Sequence, residues 1–289
     1  MAASLSLSTT FHPNSSLHES APDLALLSSD SVLFCVHVGI LNNTSANAFN
    51  GILDDLDDTT KIPIDGRDVP MRARRINVHS VPLDVILHAV YNISCAHHAP
   101  PTVALVEAVD LLPAFGVNPQ VCIYASPTPS PLYALLFAHA PLHPLPIYTL
   151  AAHHNIYALA VNVSQHLLGI HLDELPDAVV SRMGAVYLKK LVYLHLGRSE
   201  ALKRILKPLP AAHAPSALCG AEARGRLERA WMFAVSYLTW DARPDMSAAS
   251  IEAALRPLGE NLTCSVCKQQ VRERLRSIAA QWLTVKRTV

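Results

Sequence analysis

The chain has 289 residues, of which 51% are hydrophobic and only 16% charged; this excludes a wholly disordered polymer and is enough for one large domain or two ordinary ones. Its 23 basic and 23 acidic residues cancel and the isoelectric point is near 7.3, so no overall positive field draws it to nucleic acid. Six cysteines, at 35, 95, 122, 219, 264 and 267, are too sparse and irregular for a disulfide scaffold and read as mostly reduced thiols of an intracellular protein, cytoplasmic or nuclear.

Residues 1–22 are polar, with neither a basic-then-apolar leader pattern nor the arginines of a transit peptide, and are expected to form a disordered N-terminal tail. The N-x-[ST] matches at Asn14, Asn42, Asn43, Asn92, Asn162 and Asn261 are read as chance. "DLALLS" (23–28) and "VLFCV" (32–36), separated by "SDS", predict two short strands joined by a tight turn. After Val36 the apolar spacing becomes helical through Ile40, Leu41, Ser45, Ala48 and Phe49, so the period changes at His37.

Residues 50–70 carry Gly51, Pro63, Gly66, Pro70 and the acidic cluster "DDLDD", and read as a loop or irregular insertion. "RINVHSV" is the candidate third strand, "PLDVILHAVYN" a helix with Pro82 in its first turn, and "PTVALVEAVDLLPAFGV" a second amphipathic helix. From Leu111 to Leu172 there is no Asp, Glu, Lys or Arg, yet Pro127, Pro129, Pro131, Pro141, Pro144 and Pro146, with six histidines, interrupt every run of roughly 18 apolar residues, so no membrane span is expected. Short packed helices are predicted there, over "YALLFAH", "PIYTLAAHH" and "IYALAVNVSQHLLGI"; an exposed apolar surface that pairs with a partner is the sharper alternative.

The last third is helical. Met183, Val186, Tyr187, Leu191, Leu194, Leu202 and Ile205 form one stripe, and "RLERAWMFAVSYLTW" forms another helix. A final helix, capped near Thr263, repeats Cys267, Val271, Leu275, Ile278, Trp282 and Val285 on one face, with Lys268, Arg272, Glu273 and Arg276 on the solvated face.

Only ten glycines occur and none are spaced G-x-G, so dinucleotide fingerprints, P-loops and nucleophile elbows are absent from the sequence. Fifteen histidines invite a metal reading, but no H-E-x-x-H or paired C-x-x-C is complete. His139 and His143 are separated by Pro141, and the adjacent pairs His97-His98 and His153-His154 diverge on a regular element. Cys264 and Cys267 form a single C-x-x-C at a helix start, a half-site that lacks a second pair because Cys219 stands alone in sequence; Cys267 fits the packed stripe as a small hydrophobe. No catalytic, cofactor-binding or metal-ligating set is therefore assigned, and a zinc-binding enzyme or sensor using histidines with Cys264 and Cys267 is the alternative reading.

The N-terminal pattern resembles the opening of BTB/POZ domains, in which a strand begun by Asp, a turn and a strand of the form F-x-V-H lead into a helix followed by Ser and Phe. The matching positions are Asp23, Phe34, Val36, His37, Leu41, Ser45 and Phe49. "INVHSVPLDVILHAVYN", ending near Tyr91, is similar to that family's third strand and next helix, and "VALVEAVDLLPAFGV" to its "LLEAADxLxxFGV" helix. The remainder resembles BTB-domain proteins numerous in basidiomycete fungi, through "LDELPDAVVSRMGAVYLKKLVYLHLGR" and the closing "LTCSVCKQQVRERLRSIAAQWLTVKRTV". The longer insertion at 54–75 and the uncharged stretch depart from the pattern. The resemblance implies an α+β fold: a BTB/POZ-like mixed α/β domain over 23–125, then an all-α helical domain over 126–289. It also implies a non-enzymatic protein–protein interaction module without cofactors, a homo-oligomer (dimer) with protein partners, and service as an adaptor to a cullin-type ubiquitin ligase.

Overall fold

A computed structural model describes residues 5–54, 59–64, 67–124, 128–215 and 219–289, and of 59–64 and 67–69 the backbone only. The chain is α+β and divides into two units, Met1–Val163 and Ser164–Val289. No helix among the described residues is long and apolar enough to cross a membrane.

The strands of the first unit are β1 (Ser6–Leu7), β2 (Leu24–Leu27), β3 (Val32–Val36), β4 (Thr59–Ile64) and β5 (Arg67–Arg75), laid in the order β1-β3-β2-β5-β4. β2 and β3 pair antiparallel with Leu24 opposite Val36 and Leu26 opposite Phe34, so these four buried side chains share one face. Ala25, Leu33, Cys35 and Met71 form the core on the other. Ser31, at φ +66°, closes the turn between them, where Ser28 Oγ donates to Asp30 at 2.8 Å.

The third strand differs from its expected position. It is β5, and it ends at Arg75, where the "RINVHSV" segment begins; β4, antiparallel to it, lies in what the sequence marks as an irregular insertion. Pro63 is compatible because β4 is an edge strand, and Pro70 because β5 meets β2 only over Arg72–Arg75. Pro70 lies opposite Lys61, on the part of β5 with one neighbour, where a missing N–H is tolerated. The acidic cluster falls mostly outside the described residues.

The expected N-terminal tail is also corrected over 5–22. β1 pairs parallel with β3, and Phe11 is fully buried with its ring 5.0 Å from His88, 5.2 Å from Tyr91 and 6.3 Å from Phe34. Burying one phenylalanine is worth about 2 kcal/mol, which a polar average over the segment conceals.

Helices α1 (Val38–Thr44), α2 (Ser80–Val90) and α3 (Thr102–Leu111) follow in the expected order, α1 and α3 ending before the expected Phe49 and Val117, while α4 (Pro119–Ile123) falls where the sequence marks no helix. The uncharged stretch folds as α5 (Pro131–His139), α6 (Pro144–His153) and α7 (Tyr157–Ser164), each short because proline starts α5 and α6 and cannot continue a preceding helix. The boundary between units therefore lies near 163, not 125. Thr102 Oγ1 meets His139 Nδ1 at 2.9 Å and His154 Nε2 meets Asp110 at 2.8 Å, tying α5 and α6 to α3 within the first unit.

The second unit holds α8 (Asp177–Leu206, broken at Gly184), α9 (Ala221–Trp240), α10 (Ala248–Leu255), α11 (Pro257–Glu260) and α12 (Ser265–Thr284). The α12 stripe from Cys267 to Trp282 is buried as its period predicts. In α8, Met183, Tyr187, Leu191, Leu194 and Leu202 are buried, but Val186 is exposed, since consecutive residues lie about 100° apart and Val186 and Tyr187 cannot share a narrow face. Arg198, buried among these helices, donates to the carbonyls of Pro244, Val285 and Lys286 and stacks on Trp282.

Candidate functional site

The residues of the N-terminal pattern gather as three fasteners between strands and helices. Asp23 Oδ1 accepts from the Val38 amide at 2.8 Å, supplying the first turn of α1 with an acceptor that its N-cap, His37, does not provide. His37 lies between two segments: its backbone N–H and Nδ1 both meet Tyr91 Oη at 2.8 Å, and Nε2 meets the Ser20 carbonyl at 2.9 Å. Ser45 Oγ donates to the Phe115 carbonyl at 2.7 Å and accepts from the Phe49 amide, while the Phe49 and Phe115 rings stack at 4.7 Å.

Phe34, Val36, Leu41 and Phe49 are buried and fill the space between these fasteners. The pattern residues thus hold local geometry. A carbonyl can only accept, so Nε2 of His37 carries a proton and donates to Ser20, leaving Nδ1 to pair with Tyr91. Both ring nitrogens are used within the fold.

The second unit carries two features that the sequence reading misses. The first is on α9. Leu227, Trp231 and Leu238 are its buried face, whereas Phe233, Tyr237 and Trp240 are 78, 74 and 93% exposed. Phe233 lies two residues, about 200°, from Trp231, so the helix has an inward and an outward aromatic face; this offset was available in the sequence.

The second is a cluster of four donors. Cys219, solitary in sequence, has its Sγ 3.5 Å from that of Cys267; His213 Nε2 is 3.1 Å from Cys267 Sγ and 3.4 Å from Cys264 Sγ. The amides of Cys267 and Val266 at the start of α12 donate to the Cys264 sulfur and hold that thiol below the usual range, while burial pushes the Cys267 thiol up. The chain spacing, H-x5-C followed 45 residues later by C-x2-C, is the signal that the C-x-x-C alone does not complete.

Two other groups among the described residues bring donors together. His88, His97 and His98 approach one another, but His98 Nδ1 is engaged with Asp84 at 2.6 Å and its Nε2 approaches Thr10 Oγ1. Asp110, His153 and His154 meet through the His154–Asp110 pair already described. His139 and His143 stand on successive helices, at the end of α5 and the N-cap of α6.

Compared with known proteins, the chain matches no protein-family model, no curated protein and no solved structure.

Proposed function

We propose that the chain is a non-enzymatic protein–protein interaction module, in which a BTB/POZ-type unit self-associates and the helical unit recruits a protein partner, in the manner of adaptors to a cullin-type ubiquitin ligase. The observation that carries this reading is the outward aromatic face of α9. Single exposed apolar side chains are ordinary, but Phe233, Tyr237 and Trp240 follow one another at i, i+4 and i+7 and form a continuous stripe, with half-exposed Met232 beside it. Trp and Tyr are also the residue types on which binding energy concentrates when a partner excludes water from them.

The BTB/POZ assignment is supported by the three fasteners, which join Asp23 to α1, His37 to Tyr91 and Ser45 to Phe115, residues that the resemblance selects independently of their contacts. Cross-linking followed by mass spectrometry in the native cell tests the recruitment. The triple variant F233S/Y237S/W240S in the full chain is expected to lose at least about tenfold of its cross-linked partner while retaining its fold, since all three side chains already face solvent. An unchanged set of partners at unchanged yield contradicts the reading.

A further inference from the structure

We infer that His213, Cys219, Cys264 and Cys267 are the four ligands of a structural zinc ion in the helical unit. These residues come from the segment after α8, the start of α9 and the start of α12, yet their donor atoms all lie within 4.8 Å of one another. Zinc with Zn–S bonds of about 2.3 Å and Zn–N bonds of about 2.0 Å has tetrahedral S···S edges of about 3.8 Å and N···S edges of about 3.5 Å. The observed edges of 3.5 Å between Cys219 and Cys267, and of 3.1 and 3.4 Å from His213 to the two α12 sulfurs, are close to these values.

The histidine is oriented as a ligand. Its Nδ1 lies 2.7 Å from the Ala214 carbonyl, which can only accept, so the ring proton is on Nδ1 and the Nε2 lone pair is directed at the sulfurs. A hydrogen bond from the far ring nitrogen to a carbonyl is the usual support of a zinc-bound imidazole. A disulfide accounts for the arrangement less well: it would join two of three thiols, leaving the third and the aimed imidazole without a role, and all three are free thiols here.

The donor set also selects the ion and its role. Three thiolates and one neutral imidazole suit zinc among abundant divalent ions, and four protein ligands leave no position for water or substrate. Binding releases one proton from each cysteine thiol to solvent and forms three Zn–S bonds and one Zn–N bond, with no change of oxidation state. The resulting excess of one negative charge is met by the Cys267 and Val266 amides at the start of α12. All three cysteines belong to the buried core of the unit, beside Leu202, Trp231 and Val271, so the ion would cross-link the segment after α8 to α9 and α12.

The full chain, produced in zinc-supplemented medium and purified without chelator, is to be analysed for zinc, iron and copper, and its zinc examined by X-ray absorption. About one equivalent of zinc per chain is expected, with a first shell of three sulfurs and one nitrogen. Cys219→Ser and His213→Gln should each lower the zinc content at least about fivefold, whereas Cys122→Ser, in the first unit, should leave it unchanged. Should the ligand variants not fold, the wild-type absorption spectrum alone decides. Zinc below about 0.1 equivalent in the wild-type chain, a first shell with fewer than three sulfurs, or a disulfide among Cys219, Cys264 and Cys267 in protein alkylated at lysis would overturn the assignment.

Discussion

Tyr91 Oη lies 2.8 Å from both the backbone nitrogen and the Nδ1 of His37, two residues separated by 54 positions. The hydroxyl accepts from the backbone N–H and donates to Nδ1, and Nε2–H donates onward to Ser20. Burial pushes the Tyr91 hydroxyl up to about 12, so it keeps the proton it donates throughout the physiological range. Tyr91→Phe leaves two polar atoms of a buried histidine without a partner and should cost about 1–3 kcal/mol in urea unfolding. In a double-mutant cycle with His37→Ala, the two changes should couple by more than about 0.5 kcal/mol; strict additivity would show that the contact contributes nothing.

Gly116 presents the sharpest steric requirement. It adopts φ +70°, and a Cβ there would stand 2.4 Å from Asn47 Oδ1, 2.7 Å from the Asn47 amide and 2.8 Å from the Ala46 amide. Two of these neighbours are backbone and cannot rotate away. Gly116→Ala should therefore lower stability by more than about 2 kcal/mol, with the loss seen as a fall in the urea midpoint at unchanged slope.

Asp30 couples the β2–β3 turn to the start of α2. Burial alone would raise its carboxyl, but hydrogen bonds from Ser80 Oγ at 2.6 Å, Ser28 Oγ at 2.8 Å and the Ser80 amide at 2.8 Å outweigh it and bring the pKa to about 2. A depressed carboxyl contributes stability above its unfolded value near 4, lost as pH falls toward 2. After allowance for solvent exposure the contribution is about 1 kcal/mol. Asp30→Asn should remove that amount at pH 7 and much less at pH 2, measured by chemical unfolding at both.

Two buried histidines, one in each unit, also weaken the fold on the acid side, at a higher pH than Asp30 does. Burial lowers His88, with Asp84 acting to raise it and His97 and His98 adding to the fall. Burial likewise lowers His195, against the Leu167 carbonyl and Asp245 and together with Arg198. A histidine held neutral in the fold favours the folded chain above the unfolded value near 6.5; below it, the unfolded chain binds the proton first and stability falls. The fall is up to about 1.4 kcal/mol per pH unit per histidine. His195→Gln, which keeps a donor for Leu167, should flatten that slope between pH 6.5 and 5 in melts followed by circular dichroism.

The strands β2 and β3, the junction at His37 and the α12 stripe were legible because each depends on local signals: short apolar runs on either side of a polar turn, a change to helical spacing after Val36, and a period of 3.6 from Cys267 to Trp282. β4 and β5 were not, because the prolines that argue against a strand are harmless where β5 has one neighbour, which is a property of the pairing. Phe11 was concealed by the polar residues around it. The Cys/His cluster needs α9 to α11 to fold back between Cys219 and Cys264, so the proximity of its members exists only in three dimensions. The outward stripe on α9 was visible in the spacing of Phe233, Tyr237 and Trp240 against Trp231, though the spacing alone does not say which of two aromatic faces is buried.

Self-association is the part of the functional account from which the scaffold and adaptor roles follow. Light scattering of the full chain across a concentration range from low to high micromolar measures it directly. A mass of about twice the 31.4 kDa chain is expected throughout, retained by the F233S/Y237S/W240S variant. A particle of 31.4 kDa at every concentration would contradict it.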